Sequence, residues 1–330
     1  MKEVLMRIEN AKAYYKLEKV SVRAVDGVSF EIFEDEVIGV VGESGCGKTT
    51  LSNLISMNIL KPLTLVEGKV FMKIDGKLEE ISSMSREEAK KRLWGKEITI
   101  VPQCAMNALM PTIRMAKYVE HLAQSHELSE KELLQKAEKR FEEVGLNPLW
   151  LKRYPFELSG GMRQRAVIAI ATILNPKLLI ADEPTSALDV VNQKIFLKVL
   201  MQLKRMGVVK SIVFITHDIA TVRQIADRMI VMYAGKIVEI STMEKILERP
   251  LHPYTKGLFN SVLTPEREVR ERGIMVIPGA PPNLINPPGG CRFHPRCSQV
   301  MDVCKEKEPP LIEVDEGTKV ACFLYSEERA

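Results

Sequence analysis

Nine residues, Gly42-Glu43-Ser44-Gly45-Cys46-Gly47-Lys48-Thr49-Thr50, separate the apolar run Val37 to Val41 from a helical pattern that begins near Lys48. A buried strand that turns straight into a helix through glycines brings backbone N–H groups and the positive helix N-terminus to one point, and so builds a cradle for an anion. The spacing of Gly42, Ser44, Gly45, Cys46, Gly47, Lys48, Thr49 and Thr50 is the Walker A pattern. In that pattern Lys48 reaches the terminal phosphates of a nucleotide and Thr49 offers its hydroxyl to Mg²⁺. The competing reading is a plain glycine turn; a strand before, a helix after and the Lys-Thr pair in register favour the phosphate.

A second apolar run, Lys177 to Ala181, ends in Asp182-Glu183-Pro184, as a buried parallel strand does when its C-terminal edge carries chemistry. Asp182 suits Mg²⁺ through its water shell, and Glu183 is placed to polarise an attacking water. Ser211 to Ile215 repeats the design and delivers His217 to the same edge. A histidine at a strand end often only partners a carbonyl, but beside a phosphate loop a sensing or transition-state role is favoured. Leu158-Ser159-Gly160-Gly161-Met162 precedes a helix expected over 163–174 and again offers unpaired N–H groups to an anion. Alone it would be only a helix cap. Gln103, which closes the strand 97–103, reads by itself as a surface amide.

The remaining pattern is a strand-helix alternation with one interruption. Residues 1–36 alternate as short strands, with Val4, Met6 and Ile8 and then Val28, Phe30 and Ile32 at period two. After Thr50 a helix is expected to run to about Leu60 and stop at Pro62. Residues 110–156 are helical and polar: Ser129 with Glu132 makes a capping box, Leu133, Leu134, Ala137, Phe141 and Val144 form a stripe, and Gly145 stops the helix. A further helix is expected from Ser186, capped by Ser186 or Thr185, to about Met206. Another is expected over 221–226, followed by a hairpin over 229–240 that turns at Ala234-Gly235. Beyond about Thr242 prolines punctuate an aperiodic segment, expected to be a separate appendage.

Composition narrows the function. The 330 residues are 45% hydrophobic, enough for one large core and a smaller unit or two. Lys plus Arg number 47 against 43 Asp plus Glu, and the net charge of +4 supplies no broad basic field, so no nucleic-acid partner is expected. No secretory h-region and no membrane-length apolar run occur, so a cytoplasmic protein is expected, anchored by others if it works at a membrane.

Taken in order, these motifs resemble the ATP-binding cassette (ABC) ATPases over roughly residues 1–245, and LSGGM resembles that family's signature. The resemblance implies an α/β P-loop NTPase (RecA-like) core with an antiparallel β subdomain, a helical subdomain inserted at about 104–165, and a C-terminal extension over 246–330. It implies that Gln103 is the Q-loop glutamine and a further Mg²⁺ neighbour, that Asp189 closes the D-loop and that His217 is the switch histidine. Tyr15 becomes the adenine-stacking aromatic, with Tyr14 as the alternative. The stretches GESGCGKTT, RYPFELSGGMRQR, LHPYTKGL and GCRFHPRC narrow the resemblance to the oligopeptide/dipeptide importer subfamily, D-type. Its Cys104-Ala105-Met106-Asn107-Ala108-Leu109, where relatives carry a more polar piece, leaves oligosaccharide as the alternative cargo.

The implied machine is a head-to-tail dimer with a homologous ATPase, or with a second copy, on the cytoplasmic face of the membrane. ATP lies between Walker A of one subunit and Ser159, Gly160 and Gly161 of the other. Two transmembrane permease subunits and, indirectly, an extracytoplasmic solute-binding protein complete it. A soluble cassette ATPase of DNA repair or translation is disfavoured by the near-neutral charge, the single cassette and residues 251–258. A phosphoryl-transferring kinase conflicts with LSGGM.

Cys291, Cys297, Cys304 and Cys322 crowd into about a tenth of the chain, with five, six and seventeen residues between them. Zinc sites favour closer pairs, so the spacing alone selects no metal. Four thiolates are also the ligand set of a [4Fe-4S] cluster, and relatives with this tail carry one. Iron–sulfur is the expectation, structural zinc the second and two disulfides the third.

Overall fold

The computed structural model describes residues 2–103, 108–186, 188–261 and 277–326; Cys104 to Asn107 and Ala187, named above, lie outside them. The first two strands, β1 (Val4–Lys16) and β2 (Ser21–Phe33), are single long strands rather than several short ones. Register shifts along their pairing let each remain continuous while its pattern of buried residues slips, which is why the alternation looked broken. They form an antiparallel sheet with two later strands.

The chain continues through β3 (Val37–Val41), α1 (Lys48–Ile55), β4 (Leu63–Ile74), β5 (Lys77–Glu80), α2 (Arg86–Arg92) and β6 (Ile98–Val101). Helix α1 stops at Ser56, before the expected end, because Met57 takes a left-handed backbone (φ 56°). Next come α3 (Met115–Ser125), α4 (Glu130–Glu143) and α5 (Gly160–Ala171). The stripe on α4 is buried at Leu133, Ala137 and Phe141, Ser129 caps it by accepting from Glu132 N, and Gly145 turns out of it at φ 72°. The core ends with β7 (Leu178–Asp182), α6 (Val190–Arg205), β8 (Ser211–Ile215), α7 (Ile219–Ile225), β9 (Arg228–Tyr233) and β10 (Lys236–Thr242), followed by α8 (Met243–Glu248) and α9 (Pro253–Asn260).

Helix α6 is capped by Asp189, whose carboxylate accepts from Val191 N and Asn192 N; neither Ser186 nor Thr185 is the cap. Helix α7 likewise starts earlier than expected, on Asp218. Both corrections have one cause: an aspartate oxygen offers the orphan N–H groups a charged acceptor.

With β11 (Ile312–Asp315) and β12 (Thr318–Val320) added at one edge, the central sheet has the order β11-β12-β10-β9-β3-β8-β7-β6, with β9, β3, β8, β7 and β6 parallel. The two strands at its β11 edge, β11 and β12, come from the proline-rich segment. That segment is therefore not a separate appendage: β12 pairs with β10 and extends the core sheet. The sheet buries both faces. Val37, Leu179 and Phe214 point into a core shared with the helices, while Ile38, Ile180 and Val213 point into a core shared with the antiparallel β1/β2/β4/β5 sheet.

Asp26 on β2 joins the layers. It accepts from the Tyr14 hydroxyl and pairs with the buried Arg292 guanidinium, which also donates to Ala234 O. Burial alone would raise the Asp26 carboxyl, but the Tyr14 hydroxyl, Lys236 and Arg292 together hold it below the usual aspartate range. A depressed folded value stabilises the protein above the unfolded value and is lost as pH falls through the folded one. Asp26→Asn is expected to cost about 3 kcal/mol at neutral pH by stranding Arg292. The difference between the two melting curves should narrow below roughly pH 4; thermal unfolding across pH checks it.

Candidate active site at the edge of the parallel sheet

Three strand ends are brought level by pairing. Val40 on β3 lies opposite Ile215 on β8, and Ile215 lies opposite Asp182 on β7. The residues that follow, Gly42, His217 and Glu183, therefore leave the sheet at one edge. Two glycines of the loop have no room for a side chain. A Cβ on Gly47 (φ 108°) would stand 2.0 Å from Ala24 O, and one on Gly42 (φ 155°) would stand 2.2 Å from Met232 O. The buried Lys48 ammonium donates to Gly42 O at 2.8 Å and Glu43 O at 3.0 Å, holding the loop closed upon itself. Ser44, Gly45 and Thr49 are exposed, and Cys46 is buried with its thiol pushed up by desolvation. The Tyr15 hydroxyl lies 3.2 Å from Thr50 Oγ1, at the loop, whereas Tyr14 is taken by Asp26. Of the two tyrosines, Tyr15 is the one at the cradle.

Asp182 is 2% exposed, and its Oδ1 has no hydrogen-bond partner. Burial first, and then the neighbouring Glu183, push its carboxyl up to about 6 against the opposing hydrogen bond from Thr49 and the charge of Lys48. An orphaned buried carboxylate oxygen beside a threonine hydroxyl and a phosphate cradle fits a hydrated Mg²⁺. Glu183 sits at φ 44°, a left-handed backbone that costs a side-chain-bearing residue about 1 kcal/mol. The bond from its N–H to Ile215 O (2.8 Å) fixes it there. Its carboxylate is flanked by Gln103 Nε2 at 3.5 Å and His217 Nδ1 at 3.4 Å. So the structure gathers Gln103, Glu183 and His217 into one cluster, whereas strand-end reading placed only Glu183 and His217 on one edge and left Gln103 a surface amide. Behind it Gln193 donates to Thr221 Oγ1 (2.7 Å) and Asp218 (3.3 Å), bracing the start of α7.

Ser159 is the cap of α5, accepting from Met162 N, so that helix starts at Gly160 and not at Arg163 as expected. Gly161 packs on α6: a Cβ there would meet Asn192 Oδ1 at 2.4 Å. Asn192 in turn donates to Asp189 Oδ2. The half-buried Gly161 thus ties the start of α5, where Ser159 and Gly160 are exposed, to Asn192 of α6 beside the exposed Asp189.

Sequence reading missed the residues beneath the loop. The Tyr254 hydroxyl accepts from Glu43 N (2.9 Å), and Arg296 grips the Glu43 carboxylate with both nitrogens, at 2.7 and 3.0 Å. Tyr254 is fully buried against Tyr233 and Phe293, and His252, neutral and pushed down to about 3 by burial, caps its helix. The signal was present in the HPY and PRC triplets, but it carried only resemblance. The four cysteines line one small cavity with Phe293 and His252. Gly290, in a left-handed turn, lets Cys291 N bond Cys304 O at 2.8 Å. Burial, with a smaller contribution from the neighbouring sulfurs, pushes Cys291 up to about 12 and Cys322 up to about 11. Among the described residues, no three His, Cys, Asp or Glu side chains are drawn close enough to hold a single metal ion.

A glycine loop between strand and helix, with a buried aspartate and a second carboxylate beside it at one sheet edge, fits the class of P-loop nucleotide hydrolases. Residues 25–186 match the ABC transporter family model, and residues 238–304 match that of the oligopeptide/dipeptide transporter C-terminal region. The chain is 40% identical over 329 residues to the dipeptide transport ATP-binding protein DppD of Caldanaerobacter subterraneus subsp. tengcongensis, covering 99% of this chain and 98% of that one. It is 39% identical to the oligopeptide transport ATP-binding protein AppD of Bacillus subtilis, with the same coverages. The ATP-binding cassette MJ0796, solved as a dimer in a post-hydrolysis state bound to ADP and Pi, superposes with a TM-score of 0.61 at 28% identity, over 72% of this chain and 99% of that one. The chain belongs to the ABC transporter ATPases, in the branch with the oligopeptide/dipeptide transporter C-terminal region, and is an ATPase.

Gly47→Ala tests the cradle directly. Added bulk against Ala24 O at a positive φ should weaken ATP binding at least about tenfold, a strain of 1–3 kcal/mol being typical for such a backbone. Calorimetric titration with ATP, alongside an unchanged far-UV spectrum, is the check.

Proposed function

We propose that this chain is the ATP-hydrolysing subunit of an importer for peptides, docked from the cytoplasmic side on transmembrane permease subunits. The cargo class rests on the full-length similarity to ATPases named for dipeptide and oligopeptide transport and on the matching C-terminal region. Peripheral docking is the form suited to it, since among the described residues no helix is long and apolar enough to cross a membrane.

The single observation that carries the chemistry is the contact of Glu183 with Gln103 and His217 one residue beyond buried Asp182. In the proposed reaction Glu183 accepts a proton as water adds to the γ-phosphorus of ATP. The bond from that phosphorus to the β–γ bridging oxygen breaks, and ADP and phosphate leave. His217 and Gln103 hold the Glu183 carboxylate on the attacking water, Lys48 and the loop N–H groups orient the phosphates, and Tyr15 stacks on the base. Thr49 and Asp182, with Gln103 near them, would hold Mg²⁺, which neutralises charge on the phosphates when bound.

Gly161 packs on Asn192 of α6, and Ser159 and Gly160 beside it are exposed, which supports a head-to-tail dimer in which the three close on the nucleotide of a partner. A homologous ATPase is the proposed partner, a second copy the alternative. Asp189, one hydrogen bond from Asn192, would set the same seam.

The cysteine cavity is proposed to hold a [4Fe-4S] cluster with a structural role. The proposal rests on four free cysteines lining one cavity, the ligand set that such a cluster uses.

Glu183→Gln should bind ATP yet lower kcat by about a hundredfold or more, and should shift to a dimer with ATP on size exclusion; hydrolysis at the wild-type rate would remove Glu183 as the base. Protein purified without oxygen should absorb in the visible and contain iron and acid-labile sulfide. A colourless protein carrying zinc alone would overturn the cluster.

A further inference from the structure

Glu43 is a carboxylate set inside an anion cradle. It directly precedes Ser44, and its own carbonyl accepts from Lys48 Nζ at 3.0 Å. A nucleotide triphosphate brings about four negative charges to this loop, and an uncompensated carboxylate there opposes them in a partly buried, weakly screened setting. All three polar points of Glu43 are nonetheless occupied. Its N–H goes to the Tyr254 hydroxyl, its carbonyl takes Lys48 and Cys46 N, and both carboxylate oxygens take the Arg296 guanidinium. Two of these three anchors come from beyond residue 250.

Arg296 is itself immobilised. It is 8% exposed, its Nε donates to Pro278 O at 2.7 Å, and its guanidinium lies 5.7 Å from the centre of the Tyr233 ring while also reaching that tyrosine's hydroxyl at 3.3 Å. A planar fork fixed at three sides suits a bidentate hold on one carboxylate and suits little else. Such a fixed cation does two things for the cradle: it cancels the Glu43 charge, and it denies that side chain the rotamers that would bring it to the phosphates.

We propose that Arg296 is a positioning residue of the nucleotide site, through which the C-terminal cysteine segment sets the affinity of the phosphate loop by neutralising and restraining Glu43. The proposal rests on the loop being the ATP site.

The test is calorimetric binding of ATP to the full chain, purified without oxygen, with steady-state hydrolysis in parallel. Arg296→Gln should weaken ATP binding and raise KM about tenfold while kcat at saturating ATP stays within about twofold, as loss of ground-state binding does. Adding Glu43→Gln to it should return most of the lost affinity, because the charge that Arg296 cancelled is then gone. Arg296→Lys, which keeps the charge but gives up the two-point hold, should lose less than Arg296→Gln, about three- to fivefold. It also answers the question if the glutamine variant does not fold. Wild-type affinity in Arg296→Gln overturns the proposal. So does weak binding that Glu43→Gln fails to restore, since a merely structural arginine leaves that signature, and so does Arg296→Lys falling tenfold or more. Wild-type protein that binds no ATP at all would instead remove the reading of the loop itself.

Discussion

The parallel hydrogen bonding of β3, β8 and β7 aligns Val40, Ile215 and Asp182 in one row, and the glycine loop, His217 and Glu183 are spaced from that row. Because the strands run the same way, their C-terminal ends finish together. Because both faces of the sheet are buried, a slip of one residue in any strand would turn an apolar set such as Val213 and Ile215 from one core to the other. The two cores therefore fix the register, and the register fixes the distance from phosphate loop to glutamate. Glu183 then departs from ordinary backbone geometry at the first residue past the sheet, held by the carbonyl of the neighbouring strand.

Three carboxylates surround a place meant for a polyanion, and each is handled differently. Asp182 is buried with an unpaired oxygen and a raised pKa, a form suited to receiving a cation. Glu183 is kept within reach of a histidine and an amide, half-committed to neither. Glu43 is matched by a guanidinium in a two-point grip. The helix dipole and Lys48 supply the positive side of the ledger, so the site combines strong local fields of both signs within one loop and two strand ends.

Local pattern made much of this legible. A glycine loop between strand and helix, two apolar runs ending in Asp182-Glu183 and His217, and the Ala234-Gly235 hairpin were readable because each is written in consecutive residues. The stripe on α4 was equally plain. What was not legible depends on partners far along the chain: Arg292 with Asp26, Tyr254 with Glu43 and Arg296 with Glu43, 266, 211 and 253 residues apart. A proline-rich stretch without periodicity gave no hint that β12 would pair with β10, because a three-residue strand is too short to show alternation. Helix starts slipped for another reason. Several capping residues stood in a row before α6, and the charged oxygen of Asp189, rather than Thr185 or Ser186, took the orphan N–H groups.

The sequence distance between Glu43 and Arg296 has a consequence for how the protein is made. A ribosome delivers the phosphate loop early, and strands β3, β8, β7 and β9 can pair as they emerge, yet the side chain that secures Glu43 follows 253 residues behind it. A nascent chain of cassette length thus carries its nucleotide loop with one acidic side chain untethered. Maturity of the site is timed by the arrival of the last segment, and a chain interrupted before it would present the fold of an ATPase without the finished loop.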